Sequence, residues 1–169
     1  MAKPPRDHTS FGSRTYFITA NSWAGRSIFQ SERSASLLIE TLFDYRANGK
    51  YQSHEFVVMP NHIHLLFTPA PELTLERVMQ FVKGGFSCRA GKQLGPSLGI
   101  WERGYVDHRI RDMRDYMSHR DYIHQNPVRR GLATLPEDFP YSSANPKFEL
   151  DPLPQGLKPA AEEALIRHD

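Results

Sequence analysis

Thirteen residues, Val57–Pro69 (VVMPNHIHLLFTP), constrain the fold of this chain more than any other stretch. Pro60 and Asn61 make a two-residue break with turn chemistry, proline suited to the first corner and asparagine to the second. The flanking runs, YQSHEFVVM and HIHLLFT, therefore read as the two arms of an antiparallel hairpin. Successive side chains on a strand point to opposite faces, which places His62, His64 and Leu66 on one face and Ile63, Leu65 and Phe67 on the other. The apolar trio claims the face that helices cover. Both imidazoles then project from the opposite, open face, at a spacing that lets two neutral ring nitrogens reach one divalent cation. Two ligands do not make a tight site, so a third has to come from elsewhere in the chain.

The rest of the chain frames this hairpin. RTYFITANSW (Arg14–Trp23) is aromatic and β-branched and reads as a first strand. A helix follows, with Ser31 as N-cap, Leu37, Leu38, Leu42 and Tyr45 at helical spacing, and Asn48 and Gly49 marking its end. After the hairpin, Thr74 caps a second helix with Leu75, Val78, Met79 and Val82 on one stripe, and Gly84 with Gly85 predicts a kink or fraying there. IWERGYVDHRI, Ile100–Ile110, reads as a fourth strand. The order βαββαβ is that of an α+β, ferredoxin-like fold, an antiparallel sheet with two helices on one face. A last helix, MRDYMSHRDYIHQ, is expected to stop near Asn126 because Pro127 disfavours helical geometry in the residue before it. Residues 1–13 read as a flexible arm, 14–145 as one folded domain and 146–169 as a tail.

Composition narrows the class. With 169 residues, 39% of them hydrophobic and 11% aromatic, the chain can bury a core. No window approaches the ~18 apolar residues of a membrane span, and the N-terminus lacks the apolar core of a secretory signal, so a cytoplasmic protein with no membrane partner is expected. The single Cys88 excludes an internal disulfide and reads as a small buried hydrophobe. Net charge is only +2, but its distribution is uneven. Arg77–Arg130 holds eleven Lys or Arg against five acids, with Phe81, Phe86, Trp101 and Tyr105 interleaved. Such a segment attracts phosphate backbones.

The last helix supplies the best third ligand. Tyr122 and Asn126, four residues apart, share a helical face, with His119 one turn earlier. An amide oxygen from Asn126 beside two imidazoles suits a Mg²⁺ or Mn²⁺ that keeps positions open for phosphate oxygens and water. Taken alone, the helix also admits Tyr122 as a packing residue and Asn126 as a C-terminal cap.

Four blocks, VMPNHIHLLF, WERGYVDHRI, YIHQNPVRRGL and PEDFPYSS, in this order and at these separations, resemble the REP-associated tyrosine transposases of the single-tyrosine HUH superfamily (transposase IS200-like). The likeness runs from about Thr15 to Ser143. It implies that His62 and His64 bind the catalytic metal and that Tyr122 is the nucleophile. The wider superfamily often has glutamine as third ligand where this chain has Asn126, as the REP-associated branch commonly does. The implied reaction is cleavage and strand transfer on single-stranded DNA beside hairpin-forming palindromic repeats, through a 5′-phosphotyrosine. DNA contacts are expected from Lys83, Phe86, Arg89, Arg103, Arg109, Arg111, Arg129 and Arg130, with Phe86 stacking on unpaired bases. A descendant that binds hairpins without cutting, and a phosphodiesterase using water as nucleophile, are the rival readings. Monomer and homodimer both stay open.

Overall fold

The structure, a computed structural model, describes residues 14–96 and 99–160; the expected arm at 1–13 and the end of the tail, 161–169, lie outside the described residues. Its strands and helices run β1 (Tyr16–Asn21), α1 (Glu32–Ala47), β2 (Tyr51–Met59), β3 (His62–Pro69), α2 (Leu75–Gln93), β4 (Val106–Arg109) and α3 (Met113–Arg129). This is the expected βαββαβ order with one further helix. The strands form an antiparallel sheet in the order β2-β3-β1-β4. β3 is therefore an interior strand, with Thr19 of β1 and Val57 of β2 opposite His64, and Asn21 and Met59 opposite His62.

Alternation along β3 divides two cores. Ile63, Leu65 and Phe67 join Ile18, Ala20, Phe56 and Val58 under α1 and α2, where Leu38, Val78, Val82 and Phe86 complete the larger cluster. Leu66 faces the other way, with Val57 and Met59, and α3 covers them with Tyr116 and Ile123, seven residues apart on one helical stripe. The face expected to be open is thus half closed. Three apolar strand residues would otherwise stand in water, and α3 removes them from it.

The expected caps form: Ser31 Oγ accepts the Ser34 N–H and Thr74 Oγ1 accepts the Arg77 N–H, each satisfying a donor that the first helical turn leaves over. Four sequence expectations need correction. α2 runs unbroken through Gly84 and Gly85; a Cβ at Gly85 would overlap the Tyr45 ring of α1, so this glycine lets two helices approach rather than bending one. Only Val106–Arg109 of the fourth-strand segment is strand, with Trp101 making a separate bridge to Ser22 and Gly104, at φ 75°, between them. α3 continues past Pro127 to Arg129. Burial of Asn126 and Pro127 in the helix's inner face, with Arg130 N–H bonded to Asn126 O and Leu132 N–H to Pro127 O, holds a last turn that local preference disfavours. Gly131, at φ 70°, then ends it. Cys88, expected inside, is exposed on α2.

Two carboxylates hold α3 from opposite edges of the sheet. Glu55 of β2 receives Arg120 Nε at 3.1 Å, His124 Nε2 at 2.7 Å and the hydroxyl of Ser143. Asp115 of α3 receives His108 Nε2 of β4 at 2.8 Å and the Arg111 N–H at 2.9 Å. Burial alone raises the Glu55 carboxyl, but the bonds from His124 and Ser143 and the charges of His124 and Arg120 outweigh it and hold the group below its ordinary value. A depressed carboxyl contributes stability that is complete above its unfolded value near ~4.3 and is lost as pH falls through the folded value.

Two stability predictions follow from these contacts. Glu55→Ala costs about 3 kcal/mol in urea unfolding at neutral pH, because Arg120 and His124 lose their buried partner. Glu55→Gln flattens the decline of stability as pH falls below ~4.3 relative to wild type; equal declines in the two proteins would show that the pairing is energetically silent. Gly85→Ala destabilises the wild type by about 1–3 kcal/mol through overpacking on Tyr45. In a Tyr45→Ala background the same exchange is neutral or stabilising by up to about 1 kcal/mol, since glycine is costly inside a helix.

Candidate active site

Each imidazole of β3 is oriented through one nitrogen and left free at the other. His62 Nδ1 donates to Asn61 Oδ1 at 2.7 Å, and His64 Nδ1 bonds Thr19 Oγ1 at 2.9 Å. Asn61 is the second turn residue and Thr19 the cross-strand neighbour of His64, so the hairpin and its register supply both orienting groups. His64 is 3% exposed, and its Nε2 has no hydrogen-bond partner. The Oδ1 of Asn126, at 5% exposure on α3, is likewise buried and unpartnered. An unsatisfied buried polar group costs ~1–3 kcal/mol. Two such atoms, beside imidazoles whose other nitrogens are held by hydrogen bonds, are groups that could hold a cation.

Burial disfavours the charged form of both rings. It is the main cause that pushes His62 down to about 4 and His64 to about 3, with the Arg130 charge adding to both and His62 adding to His64. The rings are therefore neutral, as ligands must be, well below the pH at which a free imidazole protonates.

Tyr122 stands beside this pair. Its ring lies 5.2 Å from His64, edge to face, and 6.0 Å from Phe17, which stacks on His64 at 5.3 Å. Tyr122 is 40% exposed, so the hydroxyl of a residue anchored in the site is reachable from solvent. The Arg129 guanidinium sits 5.6 Å over its ring. Asn126 lies one turn beyond Tyr122, inside the helix rather than at its cap, which removes the capping alternative. His119, one turn before, packs on Phe17 at 4.7 Å.

A second group of possible ligands, His108, Asp115 and His119, has its ligand atoms within 4.8 Å of one another. Here the atoms already satisfy each other. Asp115 takes His108, lies 3.1 Å from His119 Nδ1 and accepts a backbone N–H, and His119 Nδ1 also bonds the Asp115 carbonyl. The group reads as a clasp between β4 and α3, whereas His64 Nε2 and Asn126 Oδ1 have no hydrogen-bond partner.

The expected DNA contacts divide. Arg129 and Arg130 border the histidines and tyrosine. Lys83 and Arg103 lie together on a pocket beyond the end of β1. Arg89 is paired with Asp44 of α1 at 2.7 Å, and Arg111 lies 3.6 Å from Asp115, while Arg109 is exposed on β4. Phe86 is a correction: it is fully buried against Phe29 and Trp101 and has no surface on which a base could stack. Its place on the apolar stripe of α2, seven residues after Met79, carried that signal. Sequence reasoning missed Thr19, Asn61, Phe17 and Glu55. Asn61 could have been found as a polar neighbour of His62, and Glu55 as a charge on the strand face of Val57 and Met59.

Residues 16–126 match the family described as transposase IS200 like. A REP-associated tyrosine transposase of Escherichia coli K12 is 26% identical over 137 residues, spanning 77% of this chain and 80% of the relative. A Haemophilus influenzae protein provisionally assigned to the same group is 28% identical over 172 residues, with 92% of each chain covered. The solved structure of a REP-associated tyrosine transposase bound to a REP hairpin superposes with a TM-score of 0.67 at 26% identity, over 84% of this chain and 82% of that one. Among the described residues no helix is long and apolar enough to cross a membrane. The family match spans most of the sheet and reaches Asn126, and the relatives carry the REP-associated name: this chain belongs to the IS200-like transposases, enzymes that cleave and rejoin DNA strands.

Proposed function

We propose that the chain cuts and rejoins single-stranded DNA next to a hairpin, with Tyr122 as nucleophile and a divalent cation, Mg²⁺ or Mn²⁺, held by His62, His64 and Asn126. One observation carries the reading: two buried polar atoms without a hydrogen-bond partner, His64 Nε2 and Asn126 Oδ1, accompany the one tyrosine among the described residues whose ring lies against His64. The hairpin-bound structural relative supports the choice of DNA substrate.

The Tyr122 oxygen attacks the scissile phosphorus. A new Tyr–O–P bond forms, the bond to the 3′ oxygen breaks, and the product is a 5′-phosphotyrosine with a free 3′-hydroxyl. A free phenol ionises only near pH ~10, so the site has to favour its anion. Arg129 over the ring places a positive charge beside the developing phenolate. Packing between Phe17 and His64 fixes the ring's direction, which converts the attack into a positioned, intramolecular event. Arg130, close enough to act on both imidazoles, is placed to meet a phosphate oxygen. When bound, the cation would polarise the phosphate and offset the charge that builds on it. Asn61 and Thr19 hold the two rings through Nδ1, so that Nε2 of each would be the atom to hold the cation.

Incubation with an end-labelled hairpin oligonucleotide and Mn²⁺ yields a covalent protein–DNA adduct on denaturing gels, and Tyr122→Phe yields none. Cleavage that persists in Tyr122→Phe would assign the nucleophile to water; tight binding without cleavage by the wild type would make the protein a hairpin binder. His62→Ala with His64→Ala abolishes measurable Mn²⁺ binding by calorimetry. Asn61→Ala weakens it by roughly 10- to 100-fold, because the ring of His62 loses its orienting bond.

A further inference from the structure

With Phe86 buried, the expected stacking platform for unpaired bases has to be sought elsewhere. Among the described residues the exposed aromatics are Tyr122 and Trp23, the latter 48% exposed. We infer that the pocket lined by Trp23, Lys83, Gly99, Trp101, Glu102 and Arg103 takes one unpaired nucleobase of the strand that passes Tyr122. The inference rests on the reading that the substrate is single-stranded DNA.

Position comes first. β1 ends at Asn21, the cross-strand partner of His62. The next residue, Ser22, donates both its N–H and its hydroxyl to the carbonyl of Asn61, each at 2.9 Å, and Trp23 follows. The Glu102 N–H bonds Asn21 O and the Trp23 N–H bonds Ile100 O, both at 2.9 Å. The pocket is therefore built at the same end of the sheet as His62 but beside α2, so a strand leaving the histidines would enter it by rounding that end of the sheet.

The indole is held as a rigid surface. Gly99, at φ 61°, lies against it so closely that a Cβ there would sit 3.3 Å from the Trp23 Cγ. Ala24 adopts φ 52°, a left-handed conformation that alanine rarely takes, and its N–H donates to Glu102 Oε1 at 2.8 Å. Strain of this kind persists where the surroundings impose it, and here it fixes the turn that presents Trp23.

The chemistry of the rim selects the occupant. Lys83 Nζ donates to the carbonyls of Glu102 and Gly104, at 2.9 and 2.7 Å, and keeps a positive charge 5.9 Å over Trp101. Arg103 is exposed and makes no hydrogen bond or ion pair among the described residues. A flat aromatic wall with two cations beside it complements a base and its phosphate. At about 600 Å³ the pocket falls within the usual size range of small-ligand sites. Glu102 Oε2 can accept from an exocyclic amine of cytosine, adenine or guanine or from the N3–H of thymine, so the pocket recognises a base rather than one particular base.

The chain has two tryptophans, which makes the pocket readable by fluorescence without any cleavage. Wild type, Trp23→Ala and Trp23→Phe are titrated in EDTA with oligo-dC, oligo-dA, oligo-dT and a fully abasic chain of equal length, following both emission and anisotropy. The expected result is quenching by every base-bearing chain and none by the abasic chain. Trp23→Ala loses the quenching and binds oligo-dC roughly 5- to 100-fold more weakly, while Trp23→Phe recovers part of the affinity. DNA that binds by anisotropy with unchanged emission, or with equal affinity to wild type and Trp23→Ala, overturns the pocket alone. Absence of binding to every chain and to a hairpin oligonucleotide overturns the substrate reading with it.

Discussion

Everything in the candidate site depends on α3 lying across the histidine-bearing face of the sheet. The contact is apolar at its centre, where Tyr116 and Ile123 cover Val57, Met59 and Leu66. Hydrophobic burial decides that the helix docks but is non-directional, and it leaves rotation about the helix axis and sliding along it weakly specified. The two carboxylate pairings supply that direction. Glu55 grips Arg120 and His124 from the β2 edge, and His108 grips Asp115 from the β4 edge. Tyr122 falls between Arg120 and His124 of the Glu55 grip and Asn126 two residues beyond His124, so both lie within two turns of that anchor, and the ring of Tyr122 is held against His64.

The same docking creates the site's chemical tension. Burial strips water from His64 and Asn126 and returns no hydrogen bond to His64 Nε2 or Asn126 Oδ1. Most other buried polar groups among the described residues are satisfied, Ser34 Oγ of α1 excepted: His54 bonds both Pro152 O and Thr68 Oγ1, and Asp151 joins Arg46 to the backbone of Ser53. Against that background the two unpartnered atoms of His64 and Asn126 are what the proposed cation would complete. The clasp of His108, Asp115 and His119 shows the contrast, since its donors and acceptors already match.

The fold was legible wherever one period dominated. Strict alternation in HIHLLFT assigned both faces of β3 correctly, and the caps at Ser31 and Thr74 formed as side-chain chemistry dictates. Misreadings arose where a local preference met a tertiary contact. Gly85 is small for the sake of Tyr45, Pro127 stays helical because its surroundings bury it, and Phe86 carries an apolar stripe to the core instead of a base to the surface. Cys88 lies two residues beyond Phe86 on α2, and 200° of helical rotation turns it to the solvent side.

By itself the sequence determined the order of elements, the pairing of His62 with His64 on one strand face, and the sharing of one helical face by Tyr122 and Asn126. Each follows from a local period, 2 for the strand and 3.6 for the helix, and needs no knowledge of neighbours. Tertiary structure decided whether those two faces meet. That required α3 to cross the sheet at one angle and register, set by pairings such as Glu55 with His124 across sixty-nine positions. It also decided which aromatic reaches solvent, because exposure is a property of the assembled surface and Trp23, at the end of a strand, gained it where Phe86 lost it.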